Sequence, residues 1–174
     1  ALAELGAFTM TQPADRGGLG MGVADAGLVY QVPGAELVPG PLVDAALVAD
    51  LDQAVGAGEQ FATVVTRPPA GSGPRRDGGP WVLPFLDLAA HVYVLDDEGV
   101  WRVPASAIDA RPVASPLDPA TPLWLADTVP AGDQVGGPEL AADWRQRGSV
   151  LTSALLAGNA TRTVELAAAY AKQR

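Results

Sequence analysis

With 174 residues, 48% of them hydrophobic, the chain has the material for a packed core in one domain or two small ones, and disorder is not its default state. A formal charge of −9, with Lys172 the single lysine and the arginines scattered, disfavours nucleic acid as a partner, because phosphate binding needs clustered cations. The absence of Cys removes disulfides, thiolate metal sites and Cys nucleophiles together, and no long apolar run or charged-then-apolar leader is visible, so a soluble, cytoplasmic protein with no membrane partner is expected.

Residues 1–58 are rich in Ala and Leu and patterned as helix. Leu2, Leu5 and Phe8 open the pattern, and Pro13 with Gly17 and Gly18 breaks it. Val23, Gly27 and Tyr30 predict a second helix after Gly22. Beyond the break at Pro39-Gly40-Pro41, Leu42, Ala46 and Ala49 predict a third, ending near Gly56.

The texture turns to β over 59–137. Phe61 to Thr66 is a β-branched run. Val92–Leu95 and Val100–Val103 flank Asp96-Asp97-Glu98-Gly99, a hairpin turn in which Gly supplies the unusual backbone angle. Val113 and Leu123–Leu125 predict later strands between Pro-rich turns.

Over 138–174 the helical pattern returns, with a break expected at Gly148. From there Val150, Ala154, Ala157, Thr161, Val164, Ala168 and Ala171 are spaced four and three apart on one face, with Gly158 near the centre. Small residues on a seam let another helix axis approach closely. The seam is still running at Arg174 without a Gly or Pro stop, so the sequence predicts that its partner lies outside this chain. Helix, sheet, helix in that order predicts an α+β architecture.

The most specific local feature is Val65-Thr66-Arg67-Pro68-Pro69-Ala70-Gly71-Ser72-Gly73. Its chemistry leaves two readings open: a plain surface loop, or a turn presenting backbone N–H groups and hydroxyls to a phosphate or carbonyl-rich ring. No Gly-Lys-Ser/Thr closes it, so it is not a P-loop. In context it resembles the Val-Thr-Glu-Pro-Gly-Ala-Gly-Ser-Asp motif of the flavin-dependent acyl-CoA dehydrogenases. The segments "ALAELGAFTM", "GGLGMGVADAGLVY" and "GAELVPGPLVDAAL" resemble that family's N-terminal helical domain, and "VELAAAYAKQR" resembles the start of its C-terminal bundle. The three likenesses are collinear.

The resemblance implies a partial N-terminal helical domain at 1–58, a reduced, antiparallel, barrel-like β domain at 59–137, and at 138–174 the start of a four-helix bundle. It implies FAD as cofactor and acyl-CoA as substrate, in a homo- or hetero-oligomer (dimer or tetramer) whose flavin site is shared between subunits. Thr66 matches the Thr that hydrogen-bonds the flavin ring. Gly71 and Ser72 match the turn that reaches the flavin phosphates or the thioester, and Arg174 matches an Arg contacting a neighbouring subunit's flavin. Trp81 matches the Trp of the family's Trp-Ile-Thr. The implied reaction removes the α-proton of an acyl-CoA to a base while the β-hydrogen leaves as hydride to the flavin.

Several positions depart from the pattern. Arg67 and Gly73 stand where the motif has acids, and Leu83 stands where the Trp-Ile-Thr hydroxyl faces the flavin. No Ser or Thr occurs from Pro74 to Ala105. The usual base lies in the bundle beyond residue 174; the minority alternative corresponds to Gly148, so no catalytic residue is assigned. Three functions therefore compete: a dehydrogenase subunit, a non-catalytic structural subunit of a heteromeric dehydrogenase, and a binding module unrelated to redox chemistry that kept the scaffold. His91 is expected to be structural and Asp96–Glu98 to be solvated turn acids. Arg75 and Arg76 read either as a contact to a CoA phosphate or as a solvated loop, and Trp101 and Trp124 as core or interface.

Overall fold

The computed structural model describes residues 2–67 and 80–173. Residues 2–12, expected as helix, form a string of turns instead, with bonds such as Gly6 N–H to Ala3 O (2.8 Å) and Gln12 N–H to Thr9 O (2.9 Å). Gly6 has a φ of 73°, which a helix does not accommodate. Helix α1 then spans Val23–Ala35. The third predicted helix is two, α2 at Leu42–Val48 and α3 at Gln53–Gly56. Asp52 divides them: its backbone is extended, and its carboxylate accepts from Ala54 N (3.0 Å) and Val55 N (3.4 Å), an N-cap that starts a new helix.

Seven strands follow: β1 (Phe61–Thr66), β2 (Trp81–Pro84), β3 (Ala89–Leu95), β4 (Val100–Pro104), β5 (Arg111–Pro112), β6 (Leu123–Ala126) and β7 (Asp133–Gly136). They form one sheet of order β1-β3-β4-β7 and a second of order β2-β6-β5. The β3–β4 hairpin is in the expected register, Leu95 opposite Val100, and Gly99 sits at φ 153° at its tip. The expectation of purely antiparallel pairing needs correction at one place: β1 runs parallel to β3, Thr66 beside Leu95. Between them the chain passes through β2 in the other sheet, so β1 returns to its neighbour by a crossover rather than a hairpin. In the order of that sheet β1 is an edge strand.

The last helix, α4, is continuous from Pro138 to Lys172, with Pro in its first turn, where a missing N–H costs nothing. No break occurs at Gly148, which lies well inside it. Its buried face is Ala141, Trp144, Leu151, Ala154 and Gly158, so within the predicted seam Ala154 is buried but Ala157 is not, and every face from Ala160 to Gln173 is exposed. The small residues still do what small residues are expected to do, but the helix they admit is α1. A Cβ on Gly158 would run into the Gln31 carbonyl, and one on Gly34 into the backbone of Leu155, so the two helices touch main chain to main chain. Tyr30, buried beside this crossing, donates its hydroxyl to Leu42 O (3.1 Å), tying α1 to α2. One core cluster joins α2, the β1-containing sheet and α4 through Leu47, Val48, Tyr93, Leu95 and Trp144; another fills the space between the sheets around Leu83, Val92, Val94 and Val103.

Candidate functional site

Where α2, β1 and α4 meet, the structure leaves an open cleft of about 580 Å³. Its floor is apolar, from Val43 and Leu47 of α2, Val64 of β1, Leu95 of β3 and Trp144 of α4. Its α4 wall is polar, with Arg145, Ser149, Thr152 and Ser153 presented along successive turns around Gly148. Thr66 lines the same cleft at the exposed end of β1, on the same strand face as Val64 two residues earlier. Thr66 and Gly148, 82 positions apart in sequence, thus face one space.

The remaining wall contains a residue that the sequence reading passed over. Asp44 stands in the first turn of α2, flanked by the buried Leu42, Ala45, Ala46 and Leu47, and it lines the cleft with partial exposure. Its Oδ2 accepts from Val64 N at 3.0 Å. This N–H belongs to the edge of β1 that has no strand partner, so the carboxylate closes the edge. Burial pushes the Asp44 carboxyl up to about 7, against the smaller downward pull of the Val64 hydrogen bond. The signal was a lone acid inside Leu-Val-Asp-Ala-Ala-Leu-Val, an otherwise apolar helix.

Arg145 crosses the mouth of the cleft to Asp97 at 3.2 Å. Two residues on, Arg147 is largely buried and is held by Asp50 at 2.5 Å through a guanidinium NH2. Its Nε lies 2.9 Å from Asp143 but off the line of a hydrogen bond, so that contact is Coulombic. Trp144, wholly buried, has an indole N–H without a hydrogen-bond acceptor among the described residues.

The other sequence-predicted residues distribute unevenly. Trp81, half-buried at the start of β2, has the Arg67 guanidinium 5.9 Å from its ring centroid. Arg67 also pairs with Asp96 at 3.7 Å, so the residue that replaces the motif's acid is engaged by the turn of the β3–β4 hairpin. Asp96 Oδ1 accepts from Glu98 N (3.0 Å), Gly99 N (3.1 Å) and Trp101 Nε1 (3.0 Å). Burial alone pushes that carboxyl up, but these bonds and the Arg67 charge hold it below the usual carboxylate range. Asp96 is therefore a turn clamp, while Asp97 and Glu98 are exposed. Leu83 is fully buried between the sheets. His91 packs edge-on to Tyr93, 6.4 Å between centroids, away from the cleft. Gly71, Ser72, Gly73, Arg75, Arg76 and Arg174 lie outside the described residues.

No protein-family model and no curated protein matches the sequence. Solved structures do. A variant of the Tcur3481–Tcur3483 steroid ACAD is similar at 24% identity with a TM-score of 0.73, and the ChsE4–ChsE5 complex from Mycobacterium tuberculosis at 19% with a TM-score of 0.73. A glutaryl-CoA dehydrogenase from Mycobacterium smegmatis, in complex with FADH2, is similar at 17% with a TM-score of 0.70. Each likeness covers 99% of this chain and 56% of the other, so the chain spans little more than half the length of these proteins. The chain has an acyl-CoA dehydrogenase-like fold. At these identities the likeness is one of architecture. Among the described residues no helix is long and apolar enough to cross a membrane.

Proposed function

We propose that this chain is a subunit of an acyl-CoA dehydrogenase-type flavoprotein that carries out the FAD-dependent α,β-dehydrogenation of an acyl-CoA thioester. The observation that supports this best is the meeting of Thr66 and Gly148 in one cleft. These are the positions where the family resemblance places a flavin-contacting hydroxyl and, in the family's minority arrangement, a base. The apolar floor suits an acyl chain, and the hydroxyl-bearing α4 wall suits the polar thioester. The exposed Thr66 hydroxyl at a strand end fits a flavin-ring edge, with Trp81 a half-buried aromatic nearby. FAD, when bound, supplies the hydride acceptor. Gly71, Ser72 and Arg174 would complete its cradle, the last of these from a neighbouring subunit of a dimer or tetramer. The division at residues 58 and 137 and a cytoplasmic location, with a place in fatty acid metabolism, belong to the same reading.

Leu83 favours a second reading, a non-catalytic structural subunit of a heteromeric dehydrogenase. Its position carries no hydroxyl and lies in the core between the sheets, unable to meet a cofactor. That one of the similar structures is a complex of two named components accords with it. Visible absorption separates the two. A purified protein with a bound-flavin spectrum that acyl-CoA bleaches supports the enzyme; a colourless protein that co-purifies with a complete dehydrogenase subunit supports the structural role.

A further inference from the structure

We propose that Asp44 is the proton acceptor of the cleft, taking the α-proton of an acyl thioester bound between α2, β1 and α4. The inference rests on the acyl-CoA reading above and supplies the group that Gly148 lacks. Asp44 uses one oxygen to close the β1 edge at Val64 N, and its other oxygen has no hydrogen-bond donor among the described residues. It lies beside the cleft that Thr66 shares. Along β1, the Val64 N–H that anchors Asp44 is about 6.6 Å from Thr66, two residue rises.

A purely structural role explains the residue poorly. An edge N–H needs only a neutral oxygen, which Asn supplies without the cost of burying an ionisable carboxyl. The apolar surroundings from Leu42 to Leu47 raise that cost, and the same surroundings bring the carboxyl to about 7, where a base is half available at neutral pH. No neighbouring charge competes for it. On α4, Arg145 is held by Asp97 and Arg147 by Asp50 and Asp143. Across α3, Asp52 caps its own helix; β1 carries no ionisable side chain from Phe61 to Thr66. Opposite, a Cβ at Gly148 would sit 3.4 Å from Leu47 Cδ1, so the glycine leaves that side of the cleft open.

In the step itself, the α C–H bond breaks and its proton passes to the free Asp44 oxygen. The released electron pair would become the new C=C bond, with FAD, when bound, supplying the acceptor for the β-hydrogen and its pair. Without hydride transfer the pair released from the α-carbon is held by the thioester carbonyl as an enolate, and in D2O its return to carbon is visible as deuterium entering the α-position.

The test uses the intact protein, purified with any subunit that accompanies it. Acyl-CoA is incubated in D2O and α-deuterium is followed by mass spectrometry, with acyl-CoA binding measured by calorimetry. Asp44→Asn keeps an oxygen for Val64 N–H but removes the base. The expected result is unchanged acyl-CoA binding with exchange slowed at least about 100-fold. Wild-type exchange should rise with pH through about 7 as the carboxyl ionises, and the variant should lose that inflection. Exchange by Asp44→Asn at the wild-type rate overturns the assignment. If that variant does not fold, the wild-type profile decides: no inflection near neutrality overturns it. A wild type that binds acyl-CoA without exchange sinks Asp44 and leaves the acyl-CoA reading standing; one that binds neither acyl-CoA nor flavin sinks both.

Discussion

Replacing Gly158 by Ala tests whether α1 and α4 depend on main-chain contact. In an exposed helix interior this exchange stabilises by about 1 kcal/mol, because Ala loses less backbone entropy on folding. Here the added Cβ would overlap the Gln31 carbonyl oxygen and come within 2.9 Å of Ala35 N, where 3.4 Å is the nearest ordinary contact. Both obstacles are backbone, so no side chain can swing aside. The helices must separate by more than about 1 Å, loosening the cluster of Ala26, Tyr30, Leu151 and Ala154. Overpacking of that kind costs about 1–3 kcal/mol, and a 1 Å gap also forfeits a large share of each dispersion contact. The net expectation is a loss of about 2 kcal/mol, read as a lower urea midpoint with an unchanged slope. Ala157→Gly, at an exposed position, serves as control for propensity. A Gly158→Ala protein as stable as the wild type, or more so, refutes the close crossing.

Three further outcomes follow from the described contacts. Because the Asp44 carboxyl is raised from 3.8 to about 7 in the fold, the folded state holds its proton more tightly than the unfolded one, so its contribution is fully present below about pH 4 and is lost as pH rises to about 7; Asp44→Asn should remove that slope and gain up to about 4 kcal/mol over the wild type at pH 8, read by thermal melts across pH. Arg147→Ala leaves Asp50 without its guanidinium and removes a largely buried stem, and should cost about 2–3 kcal/mol by chemical denaturation, with Arg145→Ala, exposed at its pair with Asp97, costing under about 1. Asp96→Ala unpartners Glu98 N, Gly99 N and the Trp101 indole together, and should cost about 1.5–3 kcal/mol while speeding amide exchange at the β3–β4 tip.

Local signals carried the sequence reading where local chemistry decides the structure. The Asp-Asp-Glu-Gly turn forced a hairpin because Asp96 and Gly99 satisfy it within four residues, and the β-branched run at Phe61 became a strand for the same short-range reason. The error at residues 42–56 was also local: Asp52 reads as one more polar residue on a helix until its carboxylate is seen capping Ala54 and Val55. What periodicity could not supply was the facing partner. Heptad spacing placed small residues on α4, but the buried face passes from Ala154 to Gly158 rather than to Ala157, and only tertiary contact with α1 settles which side is buried. The parallel β1–β3 pair was likewise hidden, since register across a crossover leaves no mark on either strand. In the cleft, motif resemblance led to Thr66 and to Gly148, whereas Asp44 belongs to no motif. Its signal was the lone charge in an apolar heptapeptide, and its meaning came from the edge of β1.

The crossing of α1 on α4 joins residues near 30 to residues near 155, and this has a bearing on how the chain folds as it is made. The buried face of α1, Ala26, Gly27, Tyr30 and Gly34, meets Met10, Leu42 and Ala46 early but is not fully covered until α4 has been synthesised, more than a hundred residues later. The β1 edge waits less long, because Asp44 reaches it from the neighbouring helix. During synthesis the strand edge is therefore guarded early and the helix face late, which makes α1, not the sheet, the segment of the nascent chain most in need of chaperone cover.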